Sequence, residues 1–162
     1  MTFILDTLEG DQETVANRFS AYYRYLEEVR DKLPENAYSF ATAPWHYDPR
    51  DSKCPHDSWL EEMRIFEPAE GERQEVRRIK IVIRLLGSYH DGFIELSYPD
   101  VNKYIIETPE SDFASAHGDW IIDEIRLSEH GRVIHEIIFH RGTRLLIESN
   151  DVIYRWISQK DN

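Results

Sequence analysis

One cysteine among 162 residues, Cys54, rules out an internal disulfide and fits a reducing compartment. No uninterrupted apolar run exceeds three residues, so no segment is expected to span a bilayer as a helix. The opening stretch MTFILDTLEG has no basic n-region and carries Asp6 and Glu9 where a signal peptide stays apolar. Nucleotide and calcium fingerprints are missing as well: there is no GxGxxG, no P-loop and no EF-hand loop. Positive charge is in deficit, with 19 basic against 31 acidic residues and a net charge of −12. Such a field opposes a nucleic-acid backbone or an anionic membrane surface. The expectation is one cytoplasmic domain over residues 1–162 that needs no cofactor. A chain of this length buries roughly 70% of its unfolded surface and can hold a core without metal or disulfide.

Within that frame the first legible element is a helix over residues 11–33. Val15, Phe19, Tyr22, Leu26, Val29 and Leu33 alternate in steps of four and three, which lays one apolar stripe along a helix. Asp11 suits the N-cap, and Pro34 ends the run. Residues 34–57 read as an irregular loop with four prolines and a short strand at 38–42.

From residue 59 to 157 the period is two, the mark of half-buried strands. Asp91-Gly92 predicts a two-residue hairpin turn that sets Leu85 opposite Tyr98. Glu129-His130-Gly131 and His140-Arg141-Gly142 share one form, with glycine where a three-residue hairpin loop needs a left-handed residue. Counting outward pairs Leu127 with Val133, Ile125 with His135 and Ile121 with Phe139. On the other side it pairs Ile137 with Leu145 and His135 with Ile147. The fold class is therefore α+β: one N-terminal helix packed on a curved antiparallel meander of about seven strands, with barrel closure left open. Val152–Trp156 forms the last strand, apolar on both faces, and a sheet edge there invites a homodimer. This layout resembles that of several small bacterial families, some of them immunity proteins to secreted toxins. No motif carries the resemblance, and it implies no residue roles.

Three constellations carry candidate chemistry. Strand register turns Asp123 and His135 toward the apolar face, where each is costly unless it satisfies the other. They are the candidate catalytic pair, a general base with its orienting carboxylate, and no nucleophile elbow accompanies them. Trp45, His46 and Tyr47 are candidate partner-binding residues, since aromatics dominate interface hot spots. His46, Asp48, Cys54 and His56 supply atoms a metal could use, but without a paired CxxC or an HExxH the case rests on residue type alone. Arg78, Lys80 and Arg84 line one strand face and are expected to pair with carboxylates such as Glu62 and Glu95. His117-Gly118-Asp119 ends a loop, 108–118, that the pattern does not place.

Two functions follow. One is a non-catalytic binding protein whose acidic surface meets a basic protein partner, as immunity proteins do, because complementary fields speed encounter. The other is a small hydrolase or ligand-binding cup, with or without a metal, built on Asp123 and His135 with help from Glu61 and the His46–His56 loop.

Overall fold

The computed structural model of the protein describes residues 1–110 and 116–161. Asp11 caps the first helix through its side chain, which accepts the Thr14 N–H at 2.8 Å. That helix, α1 (Gln12–Glu28), is shorter than the stripe suggests and is extended by a 3₁₀ turn at Arg30–Lys32. Pro34 does not lead into an irregular loop. It stands at the start of a second helix, α2 (Glu35–Ala41), across the stretch where a strand is expected. Proline is tolerated there because the first N–H groups of a helix have no partner within it. Ala37, Phe40 and Ala41, spaced three and four apart, then bury one face. No helix among the described residues is long and apolar enough to cross a membrane.

Among the described residues ten strands follow rather than about seven: β1 (Trp59–Phe66), β2 (Ala69–Glu70), β3 (Val76–Arg77), β4 (Ile79–Leu86), β5 (Gly92–Val101), β6 (Lys103–Glu107), β7 (Trp120–Leu127), β8 (Val133–Phe139), β9 (Arg144–Ser149) and β10 (Ile153–Ser158). They make two four-stranded antiparallel sheets, β1-β4-β5-β10 and β6-β9-β8-β7, and a small β2-β3 ribbon; none of them closes into a barrel. A single meander is thus replaced by two sheets. The chain leaves the first sheet after Val101, which follows Asp100 with its φ of 50°, and β6 pairs with β9 instead of continuing beside β5. β10 then returns to β5 and forms an edge, where the sequence places its last strand.

The two glycine-third hairpins form with the expected register. Leu127 faces Val133, Ile125 faces His135, and His135 in turn faces Ile147. Gly131 and Gly142 hold φ of 72° and 85°, a region that favours glycine. One pairing differs: a bulge between Trp120 and Ile122 sets Trp120, not Ile121, opposite Phe139.

The Asp91-Gly92 turn does not form. The loop runs from Gly87 to Gly92, His90 takes the left-handed conformation at φ 56°, and Leu85 pairs with Ile94. Both registers keep the same residues on the core face, because they differ by an even number of positions. Gly92 answers a different need. A Cβ there would lie 2.7 Å from the Ile157 carbonyl oxygen and would press on the Trp156 ring. On the adjoining strand Arg84 lies between Glu62 and Glu95 in register, yet its guanidinium sits 4.0 Å over the Phe93 ring and reaches Glu61.

The exposed edge of the second sheet is sealed by side chains. β7 is an edge strand, and its outward ladder groups meet a row of polar tips. Tyr22 donates its hydroxyl to Ile125 O at 3.1 Å and accepts the Ile125 N–H at 2.8 Å. Tyr25 accepts the Leu127 N–H, Tyr47 donates to Asp123 O, and His56 Nδ1 donates to Ile121 O. Four side chains at alternate strand positions thus do the work of a missing neighbour, which protects an edge from pairing with other chains. Tyr22→Phe should cost about 1–3 kcal/mol, since it orphans a buried N–H and C=O while keeping the ring. Urea unfolding of the two proteins measures the difference.

Candidate functional site

The inner face of β7 and β8 brings Asp123 and His135 together, as the hairpin register requires. His135 Nε2 donates to Asp123 Oδ2 at 2.9 Å. The sequence does not show that His46 joins them. Its Nε2 lies 2.9 Å from both carboxylate oxygens of Asp123. Trp120 Nε1 adds a further donor to Oδ1 at 3.2 Å. Asp123 and His46 are each 1% exposed and His135 is fully buried.

The partners assign the protons. His46 Nδ1 faces the Phe40 carbonyl oxygen at 2.7 Å, so both His46 nitrogens face acceptors and both carry hydrogens. His135 gives Nε2–H to Asp123, and its Nδ1 accepts the Tyr98 hydroxyl at 2.8 Å. Burial, reinforced by the Asp123 charge, pushes the Tyr98 hydroxyl well above its usual range and keeps it a donor. Burial alone would raise Asp123. The His46 charge and the hydrogen bonds from His135 and His46 outweigh it and hold the carboxyl well below the usual range.

Stacking fixes the His46 ring in this arrangement. It lies between Phe40 and Tyr47, at centroid distances of 4.2 and 4.1 Å. Trp45 packs on Tyr154 with centroids 4.4 Å apart. Tyr47 packs edge-on against Phe19 and Tyr22 of α1, so the three candidate partner-binding residues lie in the packing of the 43–57 segment against α1, α2 and β10. Trp45 and Tyr47 are half-buried, whereas the His46 ring is enclosed.

Each of the four candidate metal ligands has another partner in the fold. His46 is committed to Asp123, and Asp48 pairs with Arg50 at 2.8 Å. The Cys54 thiol donates to His46 O, and burial pushes its pKa up to about 12, far from the thiolate a metal takes. His56 is turned toward β7. No group of three His, Cys, Asp or Glu side chains among the described residues is placed to hold an ion.

A second charged cluster lies on the opposite face of the same sheet. Glu124 and Glu136 stand directly across from one another on β7 and β8, and both are buried. Arg126 bridges them at 2.5 Å to each, and Arg144 closes on Glu136. The Phe3 and Ile4 N–H groups complete Glu124 at 2.8 and 2.7 Å. The N-terminal segment thus covers a sheet face that strand alternation would leave to solvent.

Two cavities among the described residues are not lined by Asp123, His46 or His135. One of about 450 Å³ is bounded by Phe3, Tyr25, Lys103 and Glu148. Another, about 240 Å³ and apolar, lies between β1 and β6 and is lined by Leu60, Met63, Ile65, Ile106 and Phe139. In the loop 108–118, residues 111–115 lie outside the described residues, and His117 bonds Thr143 Oγ1 at 2.8 Å.

Chemically, the Asp123 cluster has the parts of a general base but no open position. Both nitrogens of each imidazole are engaged, whereas a base needs a lone pair within reach of a substrate proton. A scan against protein-family models finds no match to this chain, and a search of curated proteins finds no relative.

Proposed function

We propose that the protein is a non-catalytic binding protein whose partner is a basic protein. The observation that carries this reading is where its charges lie. Asp123 is matched inside by His46, and Glu124 and Glu136 are matched by Arg126 and Arg144. Among the described residues every other acid except Glu148 is half-buried or exposed, and the chain carries a net charge of −12. An outward field of that sign selects cationic partners and accelerates their approach. The hydrolase or cup built on Asp123 and His135 would need a substrate beside a pair that is sealed and fully bonded. The β10 edge leaves room for a homodimer, and gel filtration addresses it.

The test is retention of proteins from the native extract on the immobilised full chain, beside an unrelated protein of equal net charge. The reading expects one basic protein held at about 0.15 M salt, with an association rate that falls steeply as salt rises. A retained set matching that of the charge control would overturn it.

A further inference from the structure

Among the described residues Glu148 is the one buried acid that makes no ion pair. It is 7% exposed, and its Oε1 has no hydrogen-bond donor. It lines the cavity of about 450 Å³ beside the N-terminal segment, which the sealed cluster on the other face does not touch. Across the strands its row reads Arg126, Ile134, Glu148, Lys103. Arg126 is committed to Glu124 and Glu136. Lys103 stands opposite Glu148 but is exposed, and the two make no ion pair. A buried carboxylate oxygen without a donor is expensive, and among the described residues the fold matches the other buried acids, Asp123, Glu124 and Glu136, but not this one.

The neighbours show what would match it. Phe3 and Tyr25 wall the same cavity, with ring centroids 4.7 Å apart. A planar guanidinium stacks on aromatic faces and pairs with a carboxylate through two parallel N–H groups. An ammonium lacks that flat face and is more strongly hydrated. We propose that this cavity is a socket for an arginine side chain presented by the basic partner, with Glu148 as its anchor. The socket's preference for a guanidinium stands on the cavity; that the guanidinium comes from a protein rests on the reading above.

The experiment titrates n-propylguanidinium, an arginine side-chain mimic, into the full chain while following backbone amide shifts of Lys103, Ile134 and Glu148. The neutral isostere N-propylurea serves as control. Saturable shifts are expected with the cation and a response at least about tenfold weaker with the urea, equivalent to one charge-assisted pair. Glu148→Gln should abolish saturation. It should also unfold at the same temperature or about 2–4 °C higher, because it removes an unmatched buried charge. Lys103→Ala, which removes the nearest competing cation and leaves Glu148 in place, should tighten binding.

No saturation by the cation, an equal response to the urea, or full binding by Glu148→Gln would overturn the socket. Saturation together with no retained basic protein would leave the socket standing and overturn the partner reading. A basic protein held equally by the parent and by Glu148→Gln would show that the partner uses another surface.

Discussion

Asp123→Ala is expected to lower the unfolding free energy by about 3–5 kcal/mol, the usual result of removing one member of a buried ion pair. The substitution leaves His46, His135 and the Trp120 N–H without their shared acceptor in a site that water does not reach. His46 cannot turn elsewhere, because its ring is stacked between Phe40 and Tyr47. The same pair sets an acid limit. The folded pKa of Asp123 lies below its unfolded value, so its stabilisation is complete above about pH 4 and is lost as pH falls further. Urea midpoints of parent and Asp123→Asn should therefore differ most near neutral pH and converge in strong acid. A difference that grows as pH falls would contradict this.

Arg126→Met should cost a similar amount, about 3–5 kcal/mol, for the mirror reason. Two carboxylates facing each other across β7 and β8 would lose the cation between them. Arg144 is half exposed and reaches only Glu136, so it cannot replace Arg126. Replacing Glu124, Arg126 and Glu136 together with apolar residues of similar volume should recover part of the loss, since no buried charge is then left alone, while the half-exposed Arg144 and the Phe3 and Ile4 N–H groups lose their acceptors. Thermal unfolding of the single and triple variants separates the cost of an orphaned charge from the worth of the cluster. A single variant as stable as the parent would show that water reaches these carboxylates.

The particular residues explain how far the sequence could be read. Gly131 and Gly142 fixed two hairpins because a left-handed position admits few other residues, and that register put Asp123 beside His135. Asp91-Gly92 misled because a shift of four positions keeps every apolar residue on its face, and the choice then fell to His90 and to the Trp156 ring over Gly92. The strand proposed at 38–42 had too few residues to show a period, and Pro34 proved to begin a helix rather than only to end one. His46 was invisible as a ligand of Asp123 because 77 positions separate them and the intervening 43–57 segment has no period. Strand alternation puts Glu124 and Arg126 on the face away from Asp123, and nothing in MTFILDTLEG announces that it will lie over that face.

Imidazole N–H exchange tests most directly the claim that the Asp123 cluster is sealed and structural. At neutral pH the account predicts far-downfield proton signals from His46 Nδ1, His46 Nε2 and His135 Nε2 that exchange slowly with water. Their loss to fast exchange in the folded protein would mean that water, and with it a substrate, reaches Asp123.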